Sequence, residues 1–378
     1  MFRPLRPLPA AVLVAVALTA RPLLSQEAIR IGEYASLTGK EAAFGQSSHK
    51  GTLLAVEEIN AAGGVLGRRI ELITDDNQSK QGESATIAKK LIARDKVAAI
   101  LGEVASMRSL EAAPICQAYR IPMVSPSSTN PKVTEIGNYV FRVCFTDRFQ
   151  GQALAKFAKD TLKIRRVAVL TSVSSAYSVG LAKYFDERFA ADGGLVAIEQ
   201  RYTEGDKDFN AQLTAIKAAG VEGIFVPGYY TEAALICKQA RELGIGIPLF
   251  GGDGWEAPEL MEIGGEAVEG TYYTTHYSPQ IDVPVVRQFV AKFRARFDGE
   301  TPDAMAALGF DSVEVLVDAI RRADSTEGPA IRDALAATKD FAGVTGTTTI
   351  DRDRNASKAA FVLMVKDGHF RFVQSIAP

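Results

Sequence analysis

The chain has 378 residues, 47% of them hydrophobic, with 43 Lys and Arg against 45 Asp and Glu for a formal charge of -2. At about 150 residues per domain this length predicts two or three domains with sizeable cores. The balanced charge excludes a basic surface built to hold nucleic acid. Three cysteines, Cys116, Cys144 and Cys237, are too few for a disulfide framework and lack the C-x-x-C spacing of a metal or redox pair.

Residues 1–26 read as a signal peptide. Arg3 and Arg6 form a positive start, and an apolar run over 10–20 has signal rather than membrane-spanning length. Pro4, Pro7, Pro9 and Pro22 would cripple a packed helix there. Cleavage is expected after Ala20 or Ser25, giving an exported, soluble, periplasmic protein. A lipid-anchored N-terminal cysteine is excluded, because no cysteine precedes Cys116.

From residue 28 onward short β-rich runs alternate with helical patterns. Strands are predicted over 29–31, 69–74, 97–101 and 122–125, and helices over 51–61, 85–94 and 109–119. Gly63 and Gly64 stop the first helix as C-terminal glycines do. The pattern restarts after Cys144. Helices are expected over 150–161, 180–191, 209–219 and 231–243, and strands over 166–171, 196–202, 223–227 and 247–250. Helices follow over 285–297, 304–322 and 329–337. The end reads as a hairpin, 361–365 and 370–373, turning at Asp367-Gly368. Repeated strand-then-helix units predict two consecutive doubly wound α/β halves, each a mostly parallel sheet with helices on both faces.

The search for catalytic chemistry returns little. There is no phosphate-cradling G-x-x-x-x-G-K-[ST] loop, no G-x-G-x-x-G fingerprint and no G-x-S-x-G elbow. The three histidines, His49, His276 and His369, lack partners at metal-ligand spacing and read as surface or hinge residues. No metal, cofactor or enzymatic activity is expected.

Recognition has better candidates, all in loops at the carboxyl ends of predicted strands, where open α/β sheets place ligands. Gly102-Glu103-Val104-Ala105-Ser106 leads into a helix. A plain N-cap is enough to explain Ser106, although the same hydroxyl and helix start would also suit a carboxylate. Ser127-Ser128-Thr129, between Pro126 and Pro131, is either a self-satisfied turn or a set of donors aimed at a cleft. Tyr229-Tyr230 sits at a strand–helix junction and fits a core as well as a pocket wall. Asp253, among Gly251, Gly252 and Gly254 and before the single tryptophan, is either a turn residue or a lightly covered carboxylate for a cation.

These segments resemble the leucine/isoleucine/valine-binding branch of the type I periplasmic binding proteins that feed ABC importers. The resemblance lies in Glu58-Ile59-Asn60-Ala61-Ala62-Gly63-Gly64-Val65-Leu66-Gly67, Pro126 to Pro131, Phe141-Arg142-Val143-Cys144-Phe145, and Gly251-Gly252-Asp253-Gly254. It implies two Rossmann-like lobes, 27–145 with 277–348 and 146–276 with 349–378, joined by three crossovers near 144–148, 273–278 and 346–351. Ligand would sit in the cleft between them.

Residue by residue, the resemblance places an α-carboxylate near Ser106 and Thr129, with the backbone of Ser127, and an α-ammonium near Asp253. Ser128 belongs to the same loop. Tyr229 would contact the head group, and Tyr177 and Phe44 would wall the side-chain pocket. Val104, Ala105 and Phe310 would add apolar lining. Relatives carry a glutamate where this chain has Asp253, and a disulfide where it has Asn77, Gln78 and Ala105. The implied function is capture of an amino acid, aliphatic or aromatic, by a monomer that docks on a membrane permease. The alternatives are a ligand sensor of the same fold for an amide, urea or small aromatic acid, and an exported α/β enzyme.

Overall fold

A computed structural model describes residues 27–378 together with Phe2, so the expected signal peptide lies outside the described residues. The first half of the chain runs β1 (Ile29–Ala35), α1 (Ala42–Ala61), β2 (Ile70–Asp76), α2 (Glu83–Ala93), β3 (Ala99–Leu101), α3 (Ser106–Tyr119), β4 (Met123–Ser125), α4 (Lys132–Glu135) and β5 (Val140–Arg142). It continues with α5 (Asp147–Asp160), β6 (Arg166–Ser172), α6 (Ala176–Ala191), β7 (Leu195–Tyr202), α7 (Asn210–Ala218), β8 (Gly223–Val226), α8 (Tyr230–Glu242) and β9 (Leu249–Gly251). Then come α9 (Pro258–Gly264), β10 (Tyr272–Thr275), α10 (Pro284–Arg296), α11 (Ala304–Ala323) and α12 (Gly328–Ala336). The short strands β11 (Phe341–Gly343) and β12 (Gly346–Thr348) precede the final hairpin of β13 (Ala360–Lys366) and β14 (His369–Ile376).

The strands form two large sheets. The first is all parallel in the order β2-β1-β3-β4-β5. The second has the order β14-β13-β10-β9-β8-β6-β7, parallel from β10 to β7, with β13 and β14 added antiparallel at one edge. Helices cover both faces of each sheet, as parallel sheets require. Residues of α1, α11 and α12 pack with one face of the first sheet, and those of α2 and α3 with the other. In the second sheet α5 and α6 cover one face, while α7, α8 and α9 cover the opposite one.

The chain passes between the sheets three times: after β5 into α5, after β10 into α10, and from β12 to β13. Two expected crossovers need redrawing. Residues Tyr272–Thr275 form β10, held between β9 and β13, so that connection starts at His276. Gly346–Thr348 pairs with β11, so the third connection occupies 349–359.

Helix α1 is nine residues longer than its sequence pattern indicates, because its early turns bury small and polar residues: Gly45, Ser48, Gly51 and Thr52. Gly51 is where α1 meets α11. A β-carbon there would lie 1.9 Å from the Ala306 carbonyl oxygen. The two helices thus touch backbone to backbone, which a periodicity search for large apolar residues cannot register.

Candidate functional site

Loops at carboxyl ends of strands, and the first turns of helices beside them, converge between the sheets. Phe44, Val104, Ser106, Ser127, Thr129 and Met305 come from elements of the first sheet and its helices. Tyr177, Tyr229, Asp253 and Gly254 come from the second. Together they wall about 210 Å³ of empty space. All but the half-buried Tyr229 are buried, so the two halves meet over the site.

Ser106 is not the cap of α3. Ala105 holds that position with extended backbone and no side-chain cap, and Ser106 is the first helical residue. The Ser106 hydroxyl oxygen instead accepts the backbone N–H of Asn130 at 3.2 Å, tying the β3 loop to the β4 loop. The start of α3 therefore keeps its unpaired N–H groups beside the cavity.

The Ser-rich loop owes its shape to Arg142. That guanidinium, buried on β5, donates to the carbonyls of Ser128 and Asn130 and to the Thr134 hydroxyl, the last two at 2.8 and 3.2 Å. Holding two loop carbonyls and the following helix α4 with one cation fixes residues 127–131 better than the loop's own hydroxyls could. The Ser128 hydroxyl turns away from the cavity and bonds the Glu103 carbonyl at 2.9 Å and Ser109 Oγ at 2.7 Å. Ser128 thus welds loop to core, and Ser127 and Thr129 on either side of it face the cleft.

Asp253 stands across the cavity from those hydroxyls. Its Oδ1 accepts from Gln150 Nε2 at 2.8 Å and from the Tyr177 hydroxyl at 2.9 Å, and its Oδ2 lies 3.0 Å from His276 Nε2. Tyr177 stacks on Tyr229 with ring centroids 5.2 Å apart, and Phe44 meets Tyr229 edge-on at 5.5 Å. The result is an aromatic wall with a carboxylate at one end and hydroxyls facing it.

Two expected lining residues lie elsewhere. Ala105 is spent as the backbone cap of α3, and Phe310 packs against Phe289 with centroids 5.1 Å apart, outside the cavity. Four residues at the site were not expected to line it: Gln150 and Met305, which the sequence reading passed over, Gly254, which it took only as part of the glycine surround of Asp253, and His276, which it took as a surface or hinge residue. His276 follows β10, a strand the sequence pattern did not reveal, and it is fully buried against Phe145 at 3.8 Å. Gln150 sits inside α5 with nothing in its neighbours to set it apart.

Beneath the first half of the site lies a second buried network. Ser36 Oγ donates to Asn77 Oδ1 at 2.8 Å, and Asn77 Nδ2 donates to Glu103 Oε2 at 2.8 Å. Arg108 Nε donates to Glu41 at 3.0 Å. Burial and the nearby Glu41 charge push Glu103 up to about 7. Hydrogen bonds therefore hold the β2 and β3 loops together without a disulfide; all three cysteines are free and buried. Among the described residues no group of His, Cys, Asp and Glu is placed to hold a metal ion, and no helix is long and apolar enough to cross a membrane.

Comparison with known proteins matches residues 28–369 to a family described as periplasmic binding protein. The chain is 31% identical over 351 residues to Leu/Ile/Val-binding protein homolog 2 of Brucella abortus (strain 2308), covering 92% of this chain and 93% of that protein. It is 29% identical over 330 residues to the leucine-, isoleucine-, valine-, threonine-, and alanine-binding protein of Pseudomonas aeruginosa, 87% of each. Among solved structures, a leucine binding protein LivK from Thermotoga maritima superposes with a TM-score of 0.89 at 42% identity, over 93% of this chain and 99% of that one. The substrate binding protein LivJ from Streptococcus pneumoniae, in complex with isoleucine, gives 0.88 at 34% identity, over 93% and 100%.

Proposed function

The chain belongs to the periplasmic binding protein family, and from that membership we propose that it captures a free amino acid in the cleft between its two sheets. The favoured solute has an aliphatic, branched side chain, and the protein hands it to the permease of an ABC importer. The observation that carries this reading is the opposition of Asp253 to Ser106, Ser127 and Thr129 across one small cavity. A free amino acid is a zwitterion, and burying it demands that both charges be answered. The Asp253 carboxylate answers the ammonium, and the hydroxyls with the N–H groups at the start of α3 answer the carboxylate. Phe44, Val104, Met305 and the Tyr229 ring take the side chain.

Capture works by hinge bending at the three connections, with the two halves closing on the solute. The protein alters nothing chemically and works as a monomer in the periplasm after its signal peptide is removed. The two relatives named for leucine, isoleucine and valine, and the isoleucine complex, support the choice of side chain.

A thermal-shift screen of dialysed protein tests this against the twenty amino acids, their amides and small aromatic acids. A ligand at a hundred times its dissociation constant adds about 2.7 kcal/mol of stability. Leucine, isoleucine or valine should raise the melting temperature by several degrees, and their amides should not. A shift with aromatic acids alone would overturn the reading and favour a carrier or sensor of carboxylates.

A further inference from the structure

His276 touches both walls of the site from the connection between them. It begins the second crossover, and its Nε2 lies 3.0 Å from Asp253 Oδ2 and 3.3 Å from Ser127 Oγ. Asp253 already accepts two hydrogen bonds at Oδ1, the pattern of an ionised carboxylate, so Nε2 carries the proton that it shares with Oδ2. Ser127 takes the longer arm of that N–H and keeps its own O–H for the cavity. The other ring nitrogen, Nδ1, is buried without a hydrogen-bond partner, in a ring stacked on Phe145.

We propose that His276 is a positioning and selectivity residue: its neutral imidazole aims Asp253 at the cavity, and a proton on His276 competes with the ammonium of a bound amino acid. The geometry gives two reasons. A second proton would sit on Nδ1, where the protein offers no acceptor. A cationic imidazole would also neutralise Asp253 from behind and leave nothing for the ammonium.

The groups around the ring agree. Burial lowers the affinity of the ring for a proton; Asp253 opposes this by favouring the imidazolium, the buried Lys358 ammonium of the third crossover adds to it, and the net direction is down. Asp147, at the head of α5, is pushed well above the usual carboxylate range by burial, and the Cys144 thiol is pushed up to about 12 by burial. Burial thus favours the uncharged form of both, and Asp253 is the carboxylate within hydrogen-bond reach of the ring.

The inference rests on the amino-acid reading and adds a signed pH dependence to it. If opening of the cleft brings water to the ring, the ordinary histidine value near 6.5 sets where the proton would load. Binding leucine below that pH must expel the proton. The leucine dissociation constant of the wild type should therefore rise about tenfold more than that of His276→Gln between pH 7.5 and 5.5, because glutamine cannot titrate. Calorimetry in buffers of different ionisation enthalpy should show close to one more proton released on leucine binding by the wild type at pH 5.5 than by H276Q. His276→Ala should bind leucine more weakly than H276Q at pH 7.5, since only the amide can still donate to Asp253.

If both variants fail to fold, nitrogen-15 spectra of histidine-labelled wild type carry the same test. The leucine complex at pH 5.5 should show His276 neutral, with its proton on Nε2. Equal pH profiles for wild type and H276Q, or an imidazolium in the leucine complex, would overturn the His276 assignment while leaving the amino-acid reading intact. If instead 4-methylpentanoate binds, more tightly at acid pH, and leucine does not bind at all, the underlying reading fails and the inference with it.

Discussion

Asp253 is tied to its surroundings by Gln150, Tyr177 and His276, none of which carries away its charge while the imidazole stays neutral. Asp253→Ala should therefore leave the fold standing and remove the answer to the ammonium. Truncating one partner of a buried charge pair costs about 2–5 kcal/mol, a loss of roughly thirty- to several-thousand-fold in amino-acid affinity at about 1.4 kcal/mol per tenfold. Titration calorimetry with leucine reads this directly, and retained affinity would show that the ammonium is bound elsewhere. The sequence made Asp253 legible, because a carboxylate among glycines before the single tryptophan is an uncommon surround. It made Ser106 legible as a residue but not in its role: a hydroxyl at a helix start reads as a cap, and only the approach of Asn130 shows that it bridges two loops. Gln150 had no local signal at all, and His276 was legible as a hinge residue but not as a partner of Asp253. Each matters through partners about 25 to 150 positions away, and single-sequence spacing carries no such information.

At the scale of elements, strand and helix alternation was readable wherever apolar residues kept a clean period, which covers most of both sheets. It failed where packing uses absence of side chain. The first turns of α1 hold Gly45 and Gly51, which look like breakers, yet both are contact points: a β-carbon on Gly45 would meet the Ser36 carbonyl oxygen at 2.1 Å. β10 failed for a different reason. Its four residues, Tyr-Tyr-Thr-Thr, are polar enough to pass for a connection, and it is a strand because β9 and β13 flank it. The α1–α11 contact permits a test. Gly51→Ala improves helix propensity by roughly 1 kcal/mol, but its methyl must displace the Ala306 carbonyl. Overpacking typically costs about 1–3 kcal/mol and a backbone atom yields less than a side chain, so the melting temperature should fall. A variant more stable than the wild type would mean that α1 and α11 are not held this closely. Because α1 carries Phe44 and α11 carries Met305, leucine affinity should fall with it.

For the whole molecule, the decisive contacts are those that exist only while the two halves meet. Glu256, which follows β9, accepts from the backbone N–H of Ala304 at the head of α11 at 3.1 Å and from Thr275. Burial, then the nearby Asp303, pushes its carboxyl well above the glutamate range, to about 8. An unfolded glutamate ionises near 4.3. The folded chain therefore holds a proton that the unfolded chain has released, and stability should fall as pH rises from about 4.5 to 8. Glu256→Gln mimics the protonated acid, so its melting temperature relative to wild type should be higher at pH 8.5 than at pH 5. Parallel curves would sink this assignment.

A lighter latch lies at the mouth of the cleft. The Tyr230 hydroxyl, at the start of α8, donates to the Lys40 carbonyl at 2.7 Å, and Lys40 reaches Glu204 at 2.5 Å. Both contacts join the β1–α1 loop to the second half, so the proposed opening of the cleft would break them. The ion pair is partly exposed and contributes little. The hydroxyl bond is part-buried and uncharged, and such a bond contributes about 0.5–1.5 kcal/mol. Tyr230→Phe deletes it while keeping the ring that packs edge-on against Phe44 at 4.9 Å. Since an open cleft makes neither contact, the entry of a solute should be untouched and the cost should fall on escape. Stopped-flow displacement of leucine should give an off-rate about two- to tenfold faster, with the on-rate unchanged. A slower on-rate with the same off-rate would mean that this contact is already made before the solute arrives, and that closure is set by the buried Glu256 contact rather than by the rim.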